Sequence, residues 1–237
     1  MAHGAEGAGE KVIIPADATE QDVSAHIEAE YLHGRHKSGW SYIYSNQNSR
    51  RHPQLVTIGL NPGGGRGDFD WGDDKRLIYK DTDRTVNAYL DQPWGDNSQF
   101  TPLQIQIQAM KSRHFRDVKP DHMLSFQLVP FRSPSWDELA HDQRMRATEV
   151  GFGLLDWTLA NLTTSSTVVA FGLGQFEQRL VGWFRGTDPR TFEVGWGHVT
   201  ATAWATPFAA KLIFLPHLSR YRIFGRPEFT QESKIFG

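Results

Sequence analysis

Short apolar runs alternate along the chain with segments that are long enough to form helices. The runs are rich in β-branched residues and too brief for core helices, so they predict strands. These predicted strands cover residues 55–60, 123–130, 167–171 and 212–216. Helices are predicted at residues 19–33, 100–112, 137–162 and 174–184, and the first of them has Thr19 as its N-cap and Gly34 as its stop.

Strands that alternate with helix-length segments are typical of βαβ units, in which neighbouring strands run parallel and helices cover the sheet. We therefore predict an α/β fold with three layers, αβα, around a central, mainly parallel sheet of about four strands. Residues 192–204 fit an additional hairpin or an extended insertion. Residues 1–16 are predicted to form a flexible tail, and residues 17–237 a single domain.

Composition narrows the classes of function. With 39% hydrophobic residues the chain can bury a sizeable core, but no apolar run approaches the roughly 20 residues that span a bilayer, so we expect no membrane contact and a cytoplasmic location. The absence of cysteine excludes disulfides, thiol nucleophiles, thiolate zinc sites and Cys-ligated iron–sulfur clusters. The net charge of −2 gives no overall attraction to nucleic acid, although basic and aromatic residues gather at 113–119 and 220–226.

A glycine-rich segment follows the first predicted strand, in the sequence LVTIGLNPGGGRGDFDWGDD at residues 55–74. Pro62 ends the strand, and the glycines between Gly63 and Gly67 let another molecule approach the main chain. The segment lacks the Lys-Ser/Thr pair of a P-loop and the helix start of a dinucleotide fingerprint. An ordinary turn is the alternative interpretation, but open α/β sheets place ligands at this end of a strand.

Each of the other predicted strands also ends in polar or proline-marked sequence. In a parallel sheet these ends lie at the same edge, so residues that are distant in the chain are expected to converge there. The residues concerned are Asn61, Gln127, Arg132, Ser133, Gly172, His217 and Ser219. We predict that they form a site.

Three motifs at this edge resemble those of the uracil-DNA glycosylase superfamily, in the same order along the chain. GLNPG at residues 59–63 is similar to the Gly-x-Asn-Pro-Gly first motif of the single-strand-selective, mismatch-specific and thymine-DNA glycosylases. HLSRY at 217–221 is similar to the His-Pro-Ser second motif, and LSFQLVPFRSP at 124–134 occupies the place of the strand that carries a base-reading amide. The resemblance covers roughly residues 50–226 and implies an enzyme of base excision repair.

A role follows from the resemblance for each matching residue. Asn61 would hold the attacking water, and His217 would donate a hydrogen bond to the base oxygen on which negative charge develops. Gln127 would read the base, Tyr221 would fill the gap that a flipped base leaves, and the main chain at Gly63 would face base or phosphate. Further DNA contacts are implied for Arg132, Ser133, Ser219, Arg220, Arg222 and Arg226.

Structural roles remain open for the same residues. Asn61 can simply cap the turn before Pro62. His217, Gln127 and Ser219 can be ordinary strand-end and turn residues.

The chain also departs from the family pattern. Leu218 replaces the motif proline, and Tyr221 stands where relatives carry leucine or arginine. Asp73 and Asp74 occupy the place of the aromatic residue that stacks on the base. The candidates for that stacking are instead Phe69, Trp71 and Tyr79.

The glycine-rich segment also contains acidic residues, which could take part in catalysis or binding. Asp68 or Asp70 could supply the base that the Asn61 amide cannot, or accept hydrogen bonds from hydroxyls on an enlarged base. A metal site is the other interpretation, but the spacing does not match a calcium loop, because no glutamate follows at the proper distance. We expect no metal.

The predicted function is that of a monofunctional DNA glycosylase, a monomer that excises uracil or a related base without a metal or redox cofactor. No lysine falls at a motif position, which disfavours a Schiff-base lyase. One alternative is a glycosylase that removes bulky hypermodified cytosine from phage DNA in antiviral defence, since Gln127 and the glycine-rich segment suit a roomier pocket than uracil needs. The other is a non-catalytic nucleic-acid-binding module of the same fold.

Overall fold

The computed structural model describes residues 14–63 and 84–237. Its helices are α1 (Glu20–His33), α2 (Ala88–Asp91), α3 (Pro102–His114), α4 (His141–Gly153), α5 (Leu155–Thr158), α6 (Glu177–Phe184) and α7 (Glu232–Phe236). Its strands are β1 (Leu55–Gly59), β2 (Met123–Gln127), β3 (Thr167–Phe171), β4 (Thr187–Trp196), β5 (Val199–Ala205) and β6 (Lys211–Leu215). Short 3₁₀ turns lie at Asp96–Ser98, Pro120–His122, Trp136–Glu138 and Gly174–Phe176.

Six strands form one sheet in the order β2–β1–β3–β6–β5–β4. β1 pairs in parallel with β2 and β3, and β3 pairs in parallel with β6, so the predicted parallel centre is confirmed. The predicted number of about four strands is too low, because β4 and β5 form a hairpin that pairs in antiparallel fashion with β6 and extends the sheet. The apolar pattern at 192–204 indicated a hairpin but carried no information about its pairing partner.

Helices cover both faces of the sheet and give the α/β fold its three layers. Alternate residues of a strand face opposite sides. Val56 and Ile58 of β1 therefore belong to the core under α1, α4, α5 and α6, whereas Leu55 belongs to the core under α2, α3 and α7. Burial on both faces explains why the parallel strands read as continuous apolar runs.

The helices begin close to where the sequence places them, and Thr19 caps α1 as predicted. The single helix predicted at 137–162 is wrong, because the structure has two shorter helices, α4 and α5, in that segment. Gly151 in α4 lowers its helix propensity, and a packing constraint requires it. A Cβ at position 151 would lie 2.1 Å from the carbonyl oxygen of Leu128, just after β2.

The four predicted strands are confirmed in position, although β2 ends at Gln127 and not at residue 130. Residues 1–13 of the predicted tail lie outside the described residues, and Ile14 packs against the core under α1. Within the two described ranges, no helix is long and apolar enough to cross a membrane.

Candidate active site

The four parallel strands end side by side, so the residues that follow them share the carboxyl edge of the sheet. Gln127 ends β2, Asn61 follows β1, Gly172 follows β3 and His217 follows β6. The chain leaves β1 for β2 on one side and returns to β3 on the other, which makes the gap between β1 and β3 a topological switch point. Ligands of open α/β sheets bind in a crevice at that position.

The Asn61 side chain is held by groups that fix which way its amide points. Nδ2 donates to Ser133 Oγ at 2.9 Å and lies 3.3 Å from the carbonyl oxygen of Pro62 and 3.5 Å from that of Phe131. Backbone carbonyls only accept hydrogen bonds, so the NH₂ group must face them. Oδ1 accepts no hydrogen bond from the residues that the structure describes and is available to a water molecule.

The loop after β2 anchors the loop after β1. Ser133 is 3% exposed, and its amide donates to the Pro62 carbonyl at 3.2 Å. The Arg132 guanidinium donates to the Gly63 carbonyl at 3.3 Å. The structure thus places both residues, for which DNA contacts were predicted, against the loop that carries Asn61.

Gln127 lies at the same edge but is only 5% exposed. Its Nε2 donates to the hydroxyl of the fully buried Tyr89 at 2.7 Å. A Cβ at position 59 would lie 2.3 Å from Gln127 Oε1, so Gly59 leaves room for this amide. A side chain at position 59 would have to displace the Gln127 amide from its contact with Tyr89.

Aromatic rings surround Tyr89 beside the Gln127 amide. The ring centroid of Tyr89 lies 5.6 Å from Tyr44, 5.1 Å from Trp94 and 6.3 Å from Phe171. Burial raises the pKa of Tyr89 well above its usual value, so the hydroxyl stays protonated. Sequence reasoning missed this group, because the family spacing directs attention to the residues soon after Asn61, and Tyr89 and Trp94 lie much further along the chain.

The His217 ring is oriented from the second motif itself. Its Nδ1 lies 2.8 Å from the Ser219 hydroxyl. The residue is exposed, yet neighbouring atoms desolvate the ring and lower its pKa below the usual value. A hydrogen bond to its own backbone partly offsets this shift, and the positive charge of Arg220 adds to it. When the Ser219 hydroxyl donates to Nδ1, the neutral ring carries its proton on Nε2. Nε2 has no partner among the described residues and can donate to a ligand.

Gly172 links the ends of β3 and β6. It adopts a left-handed conformation, with φ at +65°, and a Cβ there would lie 2.7 Å from Cδ2 of His217. Only glycine allows both the backbone turn and the close contact. The histidine ring therefore lies directly beside the end of β3, which borders the switch point.

The second motif continues into a turn that is tied to His217. The amides of Arg220 and Tyr221 both donate to the His217 carbonyl, at 3.0 and 2.9 Å. Leu218, which replaces the motif proline, is fully buried in the core under α3. Tyr221 is half-buried, whereas Arg220 and Arg222 are exposed. The departure at Leu218 is thus explained by packing, and the basic side chains remain at the surface.

The second basic segment, 113–119, contacts the first through the His114 ring, whose centroid lies 6.2 Å from that of Phe224. It precedes β2 and so belongs to the opposite, amino edge of the sheet. Arg113 in this segment pairs with Glu232 of α7, with Nε and Oε1 2.6 Å apart. Only the cluster at 220–226 shares the carboxyl edge with Asn61 and His217.

Of the remaining predicted site residues, some belong to the described ranges and others do not. Asp68, Phe69, Asp70 and Trp71, like Tyr79, lie outside the described residues. Gly63 is exposed next to Asn61. In the described ranges, no cluster of three or more metal-binding side chains occurs.

Neither the models of known protein families nor the sequences of curated proteins match this chain. A function must therefore be inferred from the side chains at the carboxyl edge. They offer an oriented amide oxygen, an imidazole whose lowered pKa favours the neutral form and an adjacent basic surface.

Proposed function

We propose that the protein is a monofunctional DNA glycosylase, which hydrolyses the N-glycosidic bond of a flipped uracil or a related base. The observation that carries this proposal is a pair of hydrogen-bonding atoms at the carboxyl edge that no described residue engages. Asn61 Oδ1 follows β1 and His217 Nε2 follows β6, with only β3 between these strands. The gap between them is where a ligand of this fold binds.

The reaction needs a correctly positioned water nucleophile and no covalent bond to the enzyme. As the bond between C1′ and the base nitrogen breaks, its electron pair leaves with the base and the sugar becomes oxocarbenium-like. A water molecule donates a hydrogen bond to Asn61 Oδ1. This water adds to C1′ and loses a proton, and the departing base gains a proton. An amide is too weak a base to deprotonate water, so the contribution of Asn61 is position, which the contacts of its Nδ2 group fix.

His217 would stabilise the charge that develops on the base. A neutral imidazole with its proton on Nε2 can donate to a carbonyl oxygen of the leaving base, and the interaction strengthens as that oxygen becomes negative. The lowered pKa keeps the ring neutral at neutral pH. Ser219 and Gly172 hold the ring in place from two sides.

Single-turnover assays on labelled oligonucleotides test this proposal. The panel carries uracil, mismatched thymine, hypoxanthine and modified cytosines, each in duplex and single-stranded form, and alkali reveals abasic sites. We expect base release from at least one substrate, with no strand cleavage before alkali, and loss of release in Asn61→Ala. Binding across the panel without release would instead favour a non-catalytic nucleic-acid-binding module, and absence of both would contradict the proposal.

The identity of the base is tested by mass spectrometry of products released from uracil-containing and hypermodified phage DNA. We expect uracil. Release of only a bulky cytosine derivative would replace uracil by an enlarged substrate, while keeping Asn61 and His217 in the same roles.

A further inference from the structure

The tip of the β4–β5 hairpin packs against the basic loop at residues 220–226. Trp196 ends β4, and its indole ring lies 6.0 Å from the Tyr221 ring at an interplanar angle of 73°. The Arg226 guanidinium lies 4.2 Å from the centroid of the same indole. Trp196 Nε1 donates to the carbonyl of Arg222 at 3.4 Å. One tryptophan thus touches three residues of the loop.

A second, independent feature fits the hairpin to this loop. Gly195 has φ at +78°, and a Cβ there would lie 2.8 Å from the carbonyl carbon of Glu228 and 3.0 Å from its oxygen. These are main-chain atoms, which cannot turn aside as a flexible side chain can. Gly195 is therefore required for the hairpin to approach the chain just beyond Arg226.

The combined surface alternates positive charge and aromatic ring. The Arg220 guanidinium lies 5.4 Å from the Tyr221 ring, Tyr221 meets Trp196, and Trp196 meets Arg226. Trp196 remains 37% exposed. Glu228 is the acidic neighbour, and its carboxylate lies 3.4 Å from the Arg226 guanidinium. Glu228 does not compensate the charges of Arg220 and Arg222. Guanidinium groups bind phosphates and aromatic rings stack on bases, so this arrangement fits DNA.

We propose that the hairpin tip, residues 195–199, and the basic loop, residues 220–226, bind duplex DNA as one surface. Trp196 acts in it as a positioning residue, which holds Tyr221 and Arg226 in the orientation that lets the loop enter the duplex. The proposal rests on the proposed glycosylase function, because Tyr221 is needed only where a flipped base leaves a gap.

Two glycines of the hairpin provide a matched pair of variants. Gly195 and Gly197 both have positive φ, so alanine strains the backbone at either position, but a Cβ at 197 meets no described atom within 4 Å. We expect Gly195→Ala to weaken duplex binding on the order of 10-fold and Gly197→Ala to change it little, as measured by fluorescence anisotropy. Single-strand binding should be nearly equal in both. Equal duplex affinity of the two variants would overturn the proposal.

Trp196 is tested through its coupling to Tyr221. Duplex binding of Trp196→Ala, Tyr221→Ala and the double variant should be non-additive, because Trp196 acts through Tyr221. Trp196→Phe should restore most of the affinity, since it keeps a ring against Tyr221 and loses only the hydrogen bond to Arg222. Circular dichroism and melting temperatures of the four variants show whether each is folded, so that a loss of duplex binding is not mistaken for unfolding. These variants decide the question if Gly195→Ala fails to fold.

The outcomes separate this proposal from the function on which it rests. Additive effects of Trp196 and Tyr221, in a protein that still releases bases, would overturn the hairpin proposal alone. A wild-type protein that neither binds DNA nor releases a base would overturn both.

Discussion

The two halves of the carboxyl edge are built in different ways. Asn61 is held by a neighbouring loop through polar contacts, and its main partner Ser133 is almost completely buried. His217 is exposed and is held by a residue of its own turn, Ser219, and by contact with Gly172. The first half therefore suits a small molecule that must be placed accurately, such as water. The second half suits a larger group that enters from solvent.

Charge is distributed just as unequally. On the Asn61 side Arg132 donates to the Gly63 carbonyl and so supports the loop that carries Asn61. On the His217 side Arg220 and Arg222 are exposed. We infer that, in the proposed function, the exposed arginines beside His217 contact the DNA backbone, while His217 meets the base and Asn61 holds water at the sugar. Each prediction below alters one half and leaves the other intact.

Removal of the Asn61 amide should have the largest effect. Asn61→Ala is expected to slow base release on the order of 10³-fold, because the attacking water loses its position in the transition state. Duplex affinity should stay within a few-fold of wild type, since the basic loop is untouched. Single-turnover rates and anisotropy measure the two quantities, and a wild-type rate would contradict the assignment of Asn61.

Ser133→Ala should have a smaller effect of the same kind as Asn61→Ala. It keeps the amide but removes the hydroxyl that accepts from Nδ2, while the Pro62 and Phe131 carbonyls remain nearby. We expect a loss of rate of about 10-fold, comparable to one hydrogen bond. A loss as large as that of Asn61→Ala would mean that Ser133 itself acts in the reaction.

On the other half, His217→Ala should lower the rate of base release on the order of 10²-fold through loss of one donor to the leaving base. Gly172→Ala should approach the same loss without removing the donor, because its Cβ would displace the ring and strain the backbone. Gly174→Ala is the control, since it also strains a positive φ, at +51°, but meets no described atom within 4 Å. Equal rates for Gly172→Ala and Gly174→Ala would show that the ring contact does not matter.

The sequence predicted the elements of the carboxyl edge but not the contacts that hold their side chains. The parallel strands and their convergence at Asn61, Gln127 and His217 follow from local patterns, because apolar runs identify buried strands and parallel strands share an edge. The partners that fix these side chains, such as Tyr89 for Gln127, come from distant segments with no periodic signal. The hairpin joins the sheet because β5 pairs with the next strand, β6, across the short connection at 206–210, and the apolar pattern at 192–204 did not identify this antiparallel pairing.

The positive charge beside His217 is expected to have a smaller effect than the preceding changes. It should act on DNA binding independently of the DNA sequence. Arg222→Gln should weaken binding to all duplexes alike and reduce the dependence of log K on log salt by about one. Arg116→Gln is a matched control, because Arg116 is also exposed but lies in the segment before β2, at the opposite edge. Equal salt slopes for the two variants would place the DNA away from the basic loop.

The smallest effect concerns the protonation of His217. Because desolvation lowers its pKa in the folded protein, the ring should titrate below its usual value of 6.5, in a proton NMR titration assigned by comparison with His217→Ala. The unfolded chain binds the proton more readily, so the contribution of this ring to stability is complete above pH 6.5 and is lost as the pH falls through the folded pKa. Arg220→Gln should raise the folded pKa only part of the way, because the arginine charge is the lesser cause. A folded pKa at or above 6.5 would contradict desolvation of the ring.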